Sequence, residues 1–141
     1  PMYLASWMMG RPRRIQSMFN NITGRAVEDN SVCTIEFENG AIVISETSLV
    51  APMNPKLVEV YGTKGVIICQ DSDIKVRLAG QEGFSVPELP ENDPAPIRQW
   101  VEGILYGKEI PFDLKAARDL TELMENAYIA DGTGHEVFFK K

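Results

Sequence analysis

Residues 31–37 read Ser-Val-Cys-Thr-Ile-Glu-Phe, with Cys33, Ile35 and Phe37 on one parity and Thr34 and Glu36 on the other. That alternation is the pattern of a half-buried strand, because successive side chains in a strand point to opposite faces. Glu38, Asn39 and Gly40 follow at once, and an Asn-Gly pair suits a tight hairpin in which both central residues take positive φ. The run AIVISETS then supplies the returning strand. An antiparallel hairpin is therefore the anchor of any fold this chain can adopt.

Further apolar runs extend the sheet. A Pro-containing loop over 50–55 leads to KLVEVYG, rich in β-branched and aromatic residues. Thr63-Lys64-Gly65 turns the chain into VIICQ, and Asp71-Ser72-Asp73 turns it again into IKVRL. These links are too short for helical crossovers, so the strands are expected to form one antiparallel meander. A less regular strand is expected over 14–22, around Ile15.

Residues 79–93 are rich in Gly, Pro and acids, without periodicity, and read as a long loop. Asp93 is expected to cap a helix with Pro94 at its first position. Ile97, Trp100, Val101, Ile104 and Leu105 follow at the spacing of one apolar face, and Gly107 ends the run. Trp100, mid-stripe, is expected to anchor that helix on the sheet. Asp113 caps the last helix, whose stripe is Leu114, Ala117, Leu120, Met124, Ala127 and Tyr128. Gly132 and Gly134 close it, and EVFF reads as a short final strand. Met2 to Met9 form a first helix stopped by Gly10, with Pro12 just beyond. The chain opens on Pro1 already inside this helical run, so the sequence is expected to be a piece of something longer.

The expected fold class is α+β: an open, mainly antiparallel β-sheet with helices packed on one face, a two-layer sandwich. With 141 residues, 44% of them hydrophobic and 24% charged, a single domain over 1–141 is expected, with no need of disulfides or metal to fold. The sheet face away from the helices would still carry Ile42, Ile44, Val58 and Val60, which points to a partner subunit or domain. A formal charge of −6 argues against nucleic acid and anionic membrane surfaces. The run Arg11-Pro12-Arg13-Arg14 reads as a solvated stretch.

Cys33 and Cys69 each lie in an apolar run and read as buried thiols, with no C-x-x-C pair. No membrane span or signal peptide is seen, which makes a cytoplasmic location the expectation.

There is no G-x-G-x-x-G and no phosphate-binding loop signature. His135 is the sole histidine, without metal-ligand spacing around it, and reads as a half-exposed strand residue. Ser45 and Ser48 lack a base and a nucleophile context. The acid pairs Glu28/Asp29, Asp71/Asp73 and Glu88/Glu91 all fall in polar, turn-like segments and read as solvated. No catalytic residue, no metal ligand and no cofactor-binding residue is assigned to this chain.

Four stretches nevertheless look familiar in order. VEDNSVCTIEFENGAIVISETS resembles the central hairpin of the C-terminal domain of the glucose–fructose oxidoreductase / inositol dehydrogenase family, Gfo/Idh/MocA. KLVEVYGTKGVIICQ is similar to that family's next hairpin, and AARDLTELMENAYIADGTGHEV to its closing helix and turn. MYLASWMMGRP resembles the helix that follows the family's active-site histidine. The resemblance implies a two-domain oxidoreductase using NAD or NADP, whose N-terminal Rossmann domain and catalytic lysine are missing here. The D-x-x-x-H histidine would immediately precede Pro1, so the chain alone is expected to be inactive.

By resemblance, Tyr3 at the start of the first helix and Asn20, Asn21 and Arg25 in NNITGR lie near a sugar or polyol substrate. The resemblance also implies a homodimer through the sheet face. A competing reading is a non-catalytic binding or oligomerisation module with the same fold.

Overall fold

A computed structural model describes residues 1–53 and 56–140, so part of the loop expected over 50–55 lies outside the described residues. In chain order the elements are α1 (Met2–Met9), β1 (Pro12–Asn20), β2 (Asn30–Phe37), β3 (Ile42–Ser48), β4 (Leu57–Gly62), β5 (Gly65–Gln70), β6 (Asp73–Leu78), α2 (Pro96–Tyr106), α3 (Leu114–Thr133) and β7 (Val137–Phe138). The architecture is α+β, with antiparallel strand pairing throughout. Two compact units are present: Pro1–Ala51 with Gln99–Lys141, and Pro52–Arg98.

The single meander expected from the sequence is instead two sheets, ordered β3-β2-β1-β7 and β4-β5-β6. The break falls at the Pro-containing loop, since proline cannot donate to a ladder and is poorly tolerated inside a sheet. β1 enters before the hairpin and pairs with β2 from Pro12↔Phe37 to Asn20↔Asn30. β7 returns from the far end of the chain to cover only Arg14 and Ile15 of β1.

The hairpin stands where it was expected, but its turn differs. Gly40 takes φ 84 while Asn39 is not among the positive-φ residues. Gly40 N–H donates to Phe37 O at 3.0 Å, and Phe37 N–H donates to Ala41 O at 2.9 Å. This is a three-residue loop with glycine in the left-handed position, the bulged alternative to the two-residue Asn-Gly turn. Asn39 is used otherwise: its Nδ2 donates to Met9 O at 3.1 Å, tying the turn to the end of α1.

Cys33, Ile35 and Phe37 point inward, none with measurable exposure, and meet Ile15, Ala5 of α1, and Leu123 and Ala127 of α3. Asp113 caps α3 by accepting from Ala116 N–H at 2.8 Å, and Gly134 closes it in the left-handed conformation at φ 67. The buried face of α3 is Leu123, Ala127 and Ala130, not the expected stripe: Leu114 is 85% exposed, and Met124 and Tyr128 are half-exposed. The two stripes share Ala127 and differ by a small rotation about the axis, which a long helix with scattered apolar residues leaves open.

α2 corrects two expectations. It starts at Pro96, not after an Asp93 cap, and none of its residues is buried. Trp100 is 47% exposed and is not a core anchor. Periodicity states which side chains share a face, and says nothing of what covers that face. Gly103 accommodates the segment that follows: a Cβ there would fall 2.4 Å from Ile110 Cδ1.

In the second unit the two tight turns at 63–64 and 71–72 hold β4, β5 and β6 in continuous register, as expected. Asp71, at φ 54, takes the left-handed position of the second turn. Part of the long loop folds back, with Ser85 bridging to Val76 through backbone bonds of 2.8 and 2.9 Å. No helix among the described residues is long and apolar enough to cross a membrane.

Candidate functional site

β1 ends at Asn20 and the chain loops through 21–28 before β2 begins. Asp29 organises this loop. Its carboxylate accepts from Ile22 N–H at 2.9 and 3.1 Å, from Thr23 N–H at 2.8 Å, from the Thr23 hydroxyl at 2.7 Å and from Asn30 Nδ2 at 2.9 Å. Its own N–H donates to Asn20 O, and its carbonyl accepts from Leu49 N–H, so one residue joins the ends of β1, β2 and β3. The side chain is buried, 2% exposed, which corrects the expectation of a solvated acid pair. Hydrogen bonds from the Thr23 hydroxyl, then the Ile22 amide, hold its carboxyl down to about 2, because each favours the charged form.

The other half of that pair is committed too. Glu28 Oε1 accepts from the Tyr128 hydroxyl at 2.6 Å, and this bond raises the phenol above its ordinary value. The Tyr128 ring meets Phe19 edge-on at a centroid distance of 4.9 Å. The loop is thus tied to both the sheet and α3. Nothing in the sequence marked Asp29 for this; an acid six residues after a threonine, at a strand start, is a weak Asx-type signal.

Of the four substrate-side residues expected from the sequence, the structure brings three together. Asn20 Oδ1 accepts from Asn21 N–H at 2.7 Å. Asn21 closes a turn on Arg25, accepting from its N–H at 3.1 Å and donating to its carbonyl. The Arg25 side chain extends into solvent without a partner among the described residues. Tyr3 lies elsewhere: it lines a cleft of about 400 Å³ between α1 and the N-terminal half of α3, and that cleft does not include Asn20, Asn21 or Arg25.

The outer face of the first sheet is mixed. Met18, Ile42, Ile44 and Phe138 are 56–75% exposed there. Between them Glu36 bonds Arg13 at 2.7 Å and Arg14 directly, and Arg14 reaches Glu136 at 2.6 Å. Arg14, the closest of these, holds Glu36 below the usual carboxylate range. Cys33 is buried, which pushes its thiol up, whereas Cys69 is only half-buried. His135 is exposed just before β7. Among the described residues no three His, Cys, Asp or Glu side chains are grouped to hold a metal ion.

Residues 1–68 match the family model described as the GFO/IDH/MocA C-terminal domain. No curated protein matches in sequence. Among solved structures, the aldose-aldose oxidoreductase of Caulobacter crescentus aligns over 98% of this chain and 44% of its own, at TM-score 0.80 and 20% identity. The UDP-N-acetylglucosamine 3-dehydrogenase of Acidithiobacillus ferrooxidans aligns over 92% of this chain and 44% of its own, at TM-score 0.81 and 13% identity. The WlbA dehydrogenase of Bordetella pertussis, solved with NADH and UDP-GlcNAcA, aligns over 99% and 42%, at TM-score 0.78 and 15% identity. At these identities the likeness establishes the fold. The chain spans less than half the length of each.

Proposed function

Since this chain belongs with the C-terminal domains of the Gfo/Idh/MocA oxidoreductases, we propose that residues 1–141 are the substrate-side and dimer-forming domain of an NAD(P)-dependent oxidoreductase acting on a sugar, polyol or related hydroxy compound. The observation that carries this reading is the lopsided coverage: nearly all of this chain aligns with under half of each oxidoreductase. An aldose oxidoreductase and a nucleotide-sugar dehydrogenase among those structures favour a hydroxylated substrate.

Within this reading Tyr3, Asn20, Asn21 and Arg25 face the substrate. Asn21 and Arg25 act through the shape of their turn, since the Asn21 amide is already spent on the Arg25 backbone. The dinucleotide is assigned to a separate Rossmann domain of the parent. The glycines with positive φ described here stand in loops, at strand turns or at helix C-termini, and none opens a helix after a strand as a pyrophosphate cradle requires. When bound in the parent, that cofactor would take or supply the hydride; this chain's residues would orient the hydroxyl-bearing carbon. Cys33 and Cys69 as free thiols suit a cytoplasmic location.

The dimer would form on the outer face of the first sheet, where Met18, Ile42, Ile44 and Phe138 surround the Arg14–Glu36 pair. Sedimentation equilibrium at micromolar concentration should give twice the 15.7 kDa chain mass, and Ile44→Glu should return it to one. The catalytic part is tested on the full open reading frame, by following NAD(P)+ reduction with a panel of aldoses and cyclic polyols. A parent without a dinucleotide-binding domain, or without turnover on any of them, would leave only the binding-module reading.

A further inference from the structure

We propose that Asn39–Gly40 is a self-modifying site, in which the Asn39 side chain cyclises on the Gly40 nitrogen and α1, docked on the turn, is the brake. The site is independent of the substrate-side reading. It is the one Asn-Gly pair in the chain. A glycine after an asparagine carries no Cβ to crowd the approach of its nitrogen to the neighbouring amide carbon. Both residues are exposed, and a Cβ on Gly40 would meet nothing within 4 Å, so water reaches the turn from outside.

The step consumes only water. Gly40 N gives its proton to hydroxide, and the lone pair left behind forms a bond to Asn39 Cγ. The Cγ–Nδ2 bond breaks, and the nitrogen takes a proton from water and leaves as ammonia, which regenerates the hydroxide. Water then opens the cyclic imide. Opening at Cγ gives aspartate, and opening at the main-chain carbonyl gives isoaspartate, whose backbone runs through the side-chain methylene.

The turn both prepares this step and restrains it. Ala41 N–H donates to Asn39 Oδ1 at 2.9 Å, where it polarises the amide and faces the oxyanion formed on attack. Against this, Gly40 N–H is held by Phe37 O at 3.0 Å, and Asn39 Nδ2 donates to Met9 O at 3.1 Å. The first restraint belongs to the hairpin. The second comes from α1, and the leaving nitrogen must give it up. Met9 is kept there by packing on the core together with Met2 and Ala5, so the brake holds only while α1 is docked. Conversion is one-way. Either product sets a carboxylate, which has no donor, against the carbonyl end of α1, where the helix carries its partial negative charge.

The test ages the 141-residue chain at mildly alkaline pH and maps residues 38–41 by mass spectrometry, with isoaspartyl methyltransferase labelling to detect isoaspartate. A linear peptide of residues 34–45 is the reference. Asn39 should convert more slowly in the folded chain than in the peptide. Met2→Ser, which loosens α1, should speed conversion roughly fivefold, the scale of one hydrogen bond. Asp29→Asn, which loosens the far end of the same strands, should not. In Asn39→Asp, hydrogen exchange at the Gly10 amide, bonded to Ser6 O, should quicken while that at Phe37 holds. Equal rates in chain and peptide, or with and without Met2→Ser, overturn the brake. No conversion at Asn39 in the Met2→Ser chain overturns the site, and unchanged exchange at Gly10 in Asn39→Asp overturns the one-way release.

Discussion

Asp131 Oδ1 accepts a hydrogen bond from the Phe19 backbone N–H at 2.7 Å. β7 pairs only with Arg14 and Ile15, so beyond them one edge of β1 has no neighbouring strand. A carboxylate from the last turns of α3 takes the place of the missing carbonyl. Asp131→Ala should therefore destabilise the chain by about 1–2 kcal/mol, the penalty for stranding a half-buried donor. Asp131→Asn, which keeps an acceptor, should recover most of it. Denaturant unfolding measures the first effect, and faster hydrogen exchange at the Phe19 amide locates it.

Asp29 sets a pH window. Its carboxyl lies at about 2 when folded, against about 3.9 in an unfolded chain. A depressed value means that its contribution is complete above about pH 4 and disappears as pH falls toward 2. Amide protection at Ile22 and Thr23 should drop across that interval while the hairpin amides at Phe37 and Gly40 hold. Asp29→Asn should show the weakened loop already at pH 7. Equal protection in the variant and the parent chain would remove Asp29 from its role.

The face of α3 can be read by two leucines. Leu123 has no exposure, so Leu123→Ala should cost about 2–5 kcal/mol. Leu114, at 85% exposure, should tolerate the same change within about 0.5 kcal/mol. Urea midpoints of the two variants decide it, since the stripe read from sequence holds Leu114 and not Leu123 and predicts the reverse order.

Trp100→Ala should cost about 1 kcal/mol or less in this chain, far from the 3–5 kcal/mol of a core aromatic, because the indole is half in water. Gly40→Ala should cost about 1–2 kcal/mol through backbone strain alone, since space is open around it but φ is 84. Thermal or chemical denaturation of each variant gives the number directly.

These variants also mark where the sequence was readable. The β2–β3 hairpin, the Asp113 and Gly134 caps of α3 and the β4–β5–β6 register were legible because each is local: an alternation, a cap or a short link determines it. What was not legible depends on distant partners. Leu123 is inward only because β1 and β2 lie where they do, and Trp100 is exposed although its helix is amphipathic. The pairing of β1 with a strand from the far end of the chain has no local signature. At the candidate site the resemblance named Tyr3, Asn20, Asn21 and Arg25; the last three share one loop and Tyr3 lies elsewhere, and their role toward a substrate is a proposal. The buried Asp29 that shapes their loop escaped notice because an acid in a polar run looks solvated until its donors are known.

The first unit is built from two stretches of chain, and the second is contiguous between them. This has a consequence for the order of events on the ribosome. Ile15, Cys33, Ile35 and Phe37 are all made before the residues that cover them, Leu123 and Ala127. Through the synthesis of the whole intervening unit their shared face has only α1 against it and lacks α3. The β4–β5–β6 strands, joined by two tight turns, can pair as soon as they emerge, whereas the first sheet must wait for α3. A ribosome stalled once Leu78 has cleared its exit tunnel, before α3 is made, would thus hold a nascent chain whose later-made sheet can form while its earlier-made core stays open to chaperones and proteases.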